Sequence, residues 1–236
     1  MNQKSPVLLV TTATNPPDGV IALKMKNIAK RIITAKAAVF YWAALGMKKI
    51  VIADATGQTL LDNSEQMMLQ QMGIEIEQIN YYQNNDLVVK KGKGYGEGLL
   101  LKFALQNSCL IQNASHFLKC TGKVYCRNIG DISNIIINNN IKSIFWRNVF
   151  DNFVDTRFFY TSKRFYEEYI IPAYENIDDS KSVWAEHVLL KVAHEQLRQG
   201  KTIRPILSGF SGSMNQPYFD LSMGFLDQNM PCWIKY

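Results

Sequence analysis

The first 80 residues alternate between strand-like and helix-like patterns, and this alternation limits the fold more than any other feature. Apolar, strand-like runs cover Pro6–Thr14, Lys48–Ala53 and Ile74–Ile79. Between them, apolar residues recur at helical spacing over Ile21–Leu45 and Leu61–Met72. This order requires crossover connections, which place the strands parallel in one sheet. The chain is therefore predicted to form an α/β, Rossmann-like fold with a mostly parallel sheet flanked by helices.

The later part of the chain is less regular. A helix is predicted for Gly94–Asn107 and a strand for His116–Cys120. Two strand-like segments and two helical ones follow: Lys142–Trp146, Asp155–Tyr160, Lys163–Ile171 and Ser182–Gln199. Pro172 is expected to end the first of these two helices, because proline disrupts a helix interior. Neither a repeat nor a linker interrupts the pattern, so a single domain over residues 1–236 is expected.

Composition indicates an ordinary soluble globular protein. Of 236 residues, 47% are hydrophobic and 19% charged, and no stretch approaches the roughly 20 apolar residues of a membrane span. The four cysteines form no CxxC pair, so free thiols are expected rather than a structural zinc site. The first apolar run is too short for a signal peptide. We expect a cytoplasmic protein, and leave open a position at the inner face of the membrane.

The net charge of +6 suits an anionic partner. Nucleotide diphosphates fit this charge, peripheral contact with an acidic membrane surface stays open, and a merely solvated basic surface is the alternative. Nucleic acid is not expected as a partner, because the lysines do not alternate with aromatic residues in an RNA-binding motif.

A glycine-rich, basic segment follows the third predicted strand. Gly92–Gly98 reads GKGYGEG, comes after Lys90 and Lys91, and opens a predicted helix. Backbone amides at a helix N-terminus bind anions, so Gly94 and Glu97 are candidates for donor binding. A flexible loop leading into a helix is the alternative. The turn after the first strand contains neither GxGxxG nor GxxxxGK[ST], which argues against NAD binding and P-loop chemistry.

Two lysines flank a tight turn after the predicted strand His116–Cys120. This strand carries Lys119, and Lys123 follows the turn formed by Thr121 and Gly122. Lys119, Thr121 and Lys123 are candidates for donor binding, because two ammonium groups so placed could neutralise a diphosphate without a metal ion. A basic hairpin at the surface is the alternative.

These features together resemble a known family. The element order, with the segment LKCTGKVYCRN, resembles GT-A-type bacterial glycosyltransferases of capsule, O-antigen or lipooligosaccharide biosynthesis. The segments Val154–Tyr160 and Trp184–His187 resemble the same group, and the resemblance covers about residues 5 to 190. It implies a GT-A-like fold and a nucleotide-sugar donor.

One departure concerns the metal. The resemblance implies a DxD motif with a divalent cation where this chain has Lys119-Cys-Thr-Gly-Lys123. No metal ligand is therefore assigned, and a requirement for Mn or Mg is left open. Asp155 is the nearest substitute, either for a metal or for a sugar hydroxyl, and Arg157 could pair with a phosphate. An internal salt bridge between Asp155 and Arg157 is the alternative.

The catalytic base is assigned with the help of the resemblance. An inverting transfer needs a carboxylate beside the acceptor hydroxyl, and the resemblance favours Glu186 near the start of a late helix. His187 beside it is a candidate auxiliary or acceptor contact. Asp155 and Glu97 are rival bases, and a retaining enzyme would need none. A glutamate placed early in a helix by the helix dipole is the alternative.

The nucleoside is expected at the ends of the first two strands. Thr11, Thr12 and Thr14 end the first strand and Asp54 ends the second. The resemblance implies that these residues contact the nucleoside, and ligands of open α/β sheets gather beyond the carboxyl ends of strands. For the threonines, simple strand propensity is the alternative. The segment Gly209–Ser213 is interpreted as a loop that closes over donor or acceptor.

The predicted function is therefore a glycosyltransferase. It would move a sugar from a nucleotide-sugar donor to a glycan or lipid-linked glycan acceptor of the cell surface. Its nucleotide-binding half would span about 1–130 and its acceptor-side half about 131–236. The alternative is a non-catalytic nucleotide- or carbohydrate-binding module. The position of Glu186 separates the two, because an enzyme requires this carboxylate in the ligand cleft.

Overall fold

The computed structural model describes residues 6–21, 23–148, 153–218 and 231–235, and it shows an α/β fold. The strands are β1 (Val7–Thr12), β2 (Lys49–Asp54), β3 (Glu75–Asn80), β4 (His116–Thr121), β5 (Val124–Cys126), β6 (Ser143–Asn148), β7 (Phe153–Ser162), β8 (Arg198–Lys201), β9 (Leu207–Ser211), β10 (Gln216–Tyr218) and β11 (Pro231–Lys235). The helices are α1 (Ile28–Ala44), α2 (Asn63–Gln71), α3 (Asn85–Lys91), α4 (Lys93–Asn107), α5 (Cys109–Gln112), α6 (Ile129–Asn138), α7 (Lys163–Phe165), α8 (Ile171–Tyr174) and α9 (Ala185–Gln196).

Strands from both predicted halves of the chain share one main sheet. Within the described residues its order is β3-β2-β1-β4-β7-β6-β11-β8. The first four strands are parallel, which confirms the prediction made from the start of the chain. From β4 onwards, neighbouring strands pair antiparallel. A small antiparallel sheet of β10, β9 and β5 lies beside the main one.

Apolar side chains cover both faces of the main sheet. In β1, Leu8 and Val10 belong to one cluster, which includes Trp42 of α1, while Leu9 belongs to another, which includes Leu101 of α4. Every residue of β1 is buried, which explains the uninterrupted apolar run of this strand. Among the residues described, no helix has both the length and the apolar character needed to cross a membrane.

Several predicted helix boundaries are wrong. The predicted helix Ser182–Gln199 is shorter, because α9 spans Ala185–Gln196 and β8 begins at Arg198. Helix α1 begins at Ile28 rather than Ile21, because the side chain of Asn27 caps it by accepting a hydrogen bond from the Lys30 amide at 2.8 Å. Pro172 does not end a helix. It lies in the first turn of α8, where a missing amide is tolerated, after a π-helical turn over Tyr166–Ile170.

Candidate functional site

A cavity of about 500 Å³ lies at the carboxyl ends of β1 and β4. Helix α4, the start of α9 and the hairpin of β9 and β10 complete its walls. This is the edge at which open α/β sheets bind ligands. The predicted site residues that line the cavity are Thr11, Thr12, Gly94, Glu97, Thr121, Lys123, Arg157, Glu186 and His187. Those that do not line it are Thr14, Asp54, Lys119 and Asp155.

Asp54 joins the two loops that follow β1 and β2. One carboxylate oxygen accepts hydrogen bonds from the Thr12 hydroxyl at 2.7 Å and the Thr14 amide at 2.9 Å. The other accepts from the amides of Thr56 at 2.8 Å and Gln58 at 3.3 Å. Asp54 is buried, and the protein itself uses both of its oxygens. This differs from the expected contact with a nucleoside, because the carboxylate shapes the loop instead of facing the cavity.

Lys119 forms a buried ion pair. Its ammonium lies 2.6 Å from Glu97 Oε1 and donates to the Thr156 carbonyl at 2.6 Å and to the Thr121 hydroxyl at 3.1 Å. The Thr11 hydroxyl donates to the same Glu97 oxygen at 2.9 Å. The side chain of Lys119 is fully buried. Its charge is therefore compensated within the protein, which differs from the expected role on a diphosphate.

Lys123, unlike Lys119, lies at the cavity and has no ion-pair partner among the described residues. It is only 6% exposed and lines the cavity. Its side chain makes no hydrogen bond or ion pair with any other residue that the structure describes. Burial first, and then the charge of Arg31, lower the pKa of Lys123 from 10.5 to about 7. The cavity therefore contains a buried amine that no described carboxylate neutralises by direct contact.

Gly122 explains how the turn between these lysines fits. A Cβ atom at this position would lie 2.3 Å from the Thr12 side chain and 2.6 Å from the Thr11 carbonyl. The Gly122 amide donates to that same carbonyl at 2.8 Å. The turn after β4 therefore packs directly against the end of β1, and this contact places Lys123 at the cavity.

Replacing Lys123 with methionine is expected to stabilise the free protein at low pH. The unfolded chain keeps the lysine proton between pH 7 and 10.5 and the folded protein loses it, so wild-type stability rises with pH across this window. The gain from Lys123→Met should be about 2–4 kcal/mol below pH 7 and shrink towards pH 10.5. Urea denaturation at several pH values measures it.

The matched control is Lys30→Met. Lys30 also contacts the β9–β10 hairpin, through Asn215 at 3.1 Å, but does not line the cavity. Its replacement should show no comparable pH-dependent gain. If Lys123→Met raised the free energy of unfolding equally at all pH values, burial would not be what destabilises the charged ammonium of Lys123.

Arg157 and Asp155 form the salt bridge that the sequence left open as an alternative. The guanidinium Nε and Nη2 atoms donate to the two oxygens of Asp155 at 2.8 and 2.6 Å. Burial lowers the pKa of Arg157, but the charge and hydrogen bonds of Asp155 outweigh burial and raise it overall. Arg157 also stacks over Tyr218, 4.9 Å from the ring centroid. Asp155 therefore orients Arg157. Of these two residues, Arg157 lines the cavity and Asp155 does not.

Glu186 lies in the first turn of α9 and lines the cavity. Its Oε1 atom is 3.4 Å from the Thr156 hydroxyl, which is its hydrogen-bond donor. Thr156 also accepts from Lys119 through its carbonyl, so β7 links the buried ion pair to this carboxylate. His187 follows on the exposed side of α9 and lines the cavity as well.

Asp179 is a cavity residue that the sequence analysis missed. It is 5% exposed and accepts a hydrogen bond from the Gly94 amide at 3.3 Å, at the N-terminus of α4. Gly92 has a φ of 97°, and a Cβ there would lie 2.2 Å from Asp179. Burial raises the pKa of Asp179, and the nearby Glu186 adds to the shift. The glycine-rich segment thus receives a carboxylate of the protein, where the sequence analysis expected a phosphate.

Two further basic residues line the cavity: Arg31 was not predicted from the sequence, and Lys93 belongs to the predicted glycine-rich, basic segment. Arg31 of α1 lines the cavity and donates to the carbonyls of Ala13 at 2.7 Å and Met25 at 2.9 Å. Lys93 donates to Ser213 of the β9–β10 hairpin at 2.5 Å. The segment Gly209–Ser213, expected to be a closing loop, forms much of this hairpin and contributes to the cavity wall.

The end of β4 does not fit a divalent cation. Its two charged groups are Lys119 and Lys123, and both oxygens of the nearby Asp155 are bound by Arg157. In the described ranges, no three His, Cys, Asp or Glu side chains are grouped closely enough to hold a metal ion. No step of the chemistry below is therefore assigned to a metal.

Comparisons with known proteins identify no family for this chain. No protein-family model matches the chain, and no curated protein matches it either. Among solved structures, HddC from Yersinia pseudotuberculosis complexed with GMP-PN is similar at 13% sequence identity and a TM-score of 0.38. The match covers 69% of this chain and 80% of that chain. This likeness is too slight to assign a fold or a ligand.

Proposed function

We propose that the cavity binds a nucleotide-sugar donor and that the protein is a glycosyltransferase. One observation carries the proposal: the same cavity contains the cations Lys123 and Arg157 and the carboxylate of Glu186. Cations favour a departing nucleoside diphosphate, and a carboxylate favours loss of a proton from an acceptor. A volume of about 500 Å³ is in the range of small-molecule sites.

The apolar part of the cavity suits a nucleobase. Pro16, Val20 and Leu23, from the segment between β1 and α1, line it. Arg31 holds this segment in place through its bonds to the Ala13 and Met25 carbonyls. A flat base beside these residues would leave the diphosphate near Lys123.

The proposed reaction is a direct displacement at the anomeric carbon. The acceptor hydroxyl gives its proton to Glu186 while its oxygen forms a bond to that carbon. The bond from the anomeric carbon to the phosphate oxygen breaks, and the nucleoside diphosphate leaves with the electron pair. Lys123 and Arg157 stabilise the charge that develops on this leaving group.

The acceptor is proposed from the family resemblance. It is a glycan or lipid-linked glycan of capsule, O-antigen or lipooligosaccharide synthesis. His187, exposed beside Glu186, is the residue proposed to contact it. The alternative function is a non-catalytic nucleotide- or carbohydrate-binding module. The position of Glu186 on the cavity wall favours the enzyme, because binding alone requires no base there.

A thermal-shift panel tests the proposal. UDP-, GDP-, CMP- and dTDP-sugars are added separately, each with Mn²⁺ and with EDTA. A ligand that binds only the native state raises the melting temperature by mass action. One nucleotide class should raise it, and the shift should persist in EDTA. If no nucleotide sugar raises it while a free oligosaccharide does, the carbohydrate-binding module becomes the better explanation.

A further inference from the structure

Two buried cations, Lys123 and Arg31, lie close to Gly212 in the β9–β10 turn. A Cβ atom built on Gly212 would lie 3.6 Å from Lys123 Nζ and 3.9 Å from Arg31 Nη1. Both side chains are at least nine-tenths buried by exposed area and line the cavity. Two like charges in a buried space are unfavourable unless an anion joins them.

The nearest carboxylates bind other groups of the protein. The charged groups that act on Lys123 are Arg31 from α1, Asp54 from β2 and Glu97 from α4. Asp54 binds hydroxyl and amide groups of the loops after β1 and β2 through both oxygens. Glu97 is paired with Lys119 at 2.6 Å. Neither carboxylate contacts the ammonium of Lys123, so the space beside Gly212 has an excess of positive charge.

We propose that the diphosphate of the donor binds between Lys123 and Arg31, directly beneath Gly212, without a metal ion. The inference rests on the proposed function and adds to it the position of the diphosphate and a further buried cation, Arg31, beside Lys123. Arg31 then has two roles, since it also anchors the segment before α1. Lys119, the other lysine of the turn, has no part in this site.

Position 212 is part of the proposed site because glycine has no side chain that would enter the space beside the two cations. The Gly212 carbonyl accepts a hydrogen bond from the Met25 amide at 3.1 Å, which holds the turn over the cations. A methyl group there would lie 3.2 Å from Lys123 Cε and narrow the space beside the two cations. Gly212→Ala should therefore weaken diphosphate binding without removing a charge.

The proposal is tested by calorimetry with inorganic pyrophosphate and with the nucleoside diphosphate series, in EDTA. Loss of one charge-assisted hydrogen bond is worth about 1.5–3 kcal/mol, which corresponds to about 10–100-fold in affinity. Lys123→Met should weaken pyrophosphate binding by that factor. Lys30→Met, which removes the same charge beside the hairpin but outside the cavity, should stay within about twofold.

Proton uptake provides a second readout. Lys123 is largely neutral above about pH 7 in the free protein, and a bound anion restores its proton. Binding at pH 8, measured in buffers with different ionisation enthalpies, should therefore take up protons in the wild type. The uptake should be lost in Lys123→Met and retained in Lys30→Met.

The outcomes separate this inference from the proposed function. If the nucleoside diphosphates bind wild type and Lys123→Met equally, or bind only with Mn²⁺, the metal-free site is wrong and the glycosyltransferase proposal stands. If no nucleotide or pyrophosphate binds the wild type under any condition, both fail.

Discussion

Glu186→Gln is expected to lower the rate of sugar transfer by about 10²–10⁴-fold, the usual contribution of a general base. Glutamine keeps the size of the side chain and can still accept from Thr156, so the cavity wall should be unchanged. Donor affinity should stay near that of the wild type, because the carboxylate acts on the acceptor. Turnover is measured as nucleoside diphosphate release with acceptor present, and donor affinity by calorimetry.

Asp179→Asn is the matched control. Asp179 is also a carboxylate of the cavity, and burial raises its pKa, but its oxygen binds the Gly94 amide. This variant should lose far less activity than Glu186→Gln. The reverse result would move the base to Asp179. Equal turnover in the wild type, Glu186→Gln and Asp179→Asn would rule out an inverting mechanism that uses either carboxylate as its base. A retaining transfer would then be the better explanation, since it needs no such base.

Lys119→Met is expected to lower the free energy of unfolding by about 2–4 kcal/mol, because it leaves the partly buried carboxylate of Glu97 without its partner. The ammonium is fully buried and lies 2.6 Å from Glu97. Its loss also frees the Thr156 carbonyl, which accepts from it at 2.6 Å. Guanidinium denaturation at pH 7 measures the change.

The double variant Glu97→Gln/Lys119→Met isolates the charge. With both ions removed, much of the loss should be recovered, since a neutral pair avoids the desolvation of two charges. A double variant less stable than Lys119→Met would show that the hydrogen bonds matter more than the charges. The two lysines of one turn thus have opposite expected effects, since Lys123→Met stabilises and Lys119→Met destabilises.

The parallel half of the sheet could be predicted because its signals are local. Strands β1 and β2 contain continuous apolar runs, and these residues are buried on both faces of the sheet. The residues that end them could be placed together because the carboxyl ends of parallel strands meet at one edge. That argument placed Thr11, Thr12, Thr14 and Asp54 together, and the first two of these line the cavity.

Elements that depend on tertiary contacts were missed. Helix α6 contains the run Ile135–Ile137, and β-branched residues do not favour a helix. Its Ile132 and Ile136 are buried in the core, so packing decides the conformation. Strand β5 has three residues and exists through its pairing with β9, some 80 residues later in the chain.

The partners of the predicted site residues could not be found from spacing. Gly94 and its acceptor Asp179 are 85 residues apart, and Lys93 and Ser213 are 120 apart. Sequence patterns report which residue types could bind a ligand, and they identified Lys119 and Lys123 equally. Only the fold shows that Glu97 neutralises the first and leaves the second without a direct counter-ion.

The hairpin of β9 and β10 has a consequence for synthesis of the chain on the ribosome. It begins at Leu207, yet it packs on β5 and accepts hydrogen bonds from Lys30 and Lys93. The parallel strands emerge first, with Lys123 beside a cavity that still lacks one side. Contacts at such long separation form late in folding. Binding in the cavity therefore requires that the hairpin has been synthesised. A nascent polypeptide that ends before the hairpin should not retain nucleotide.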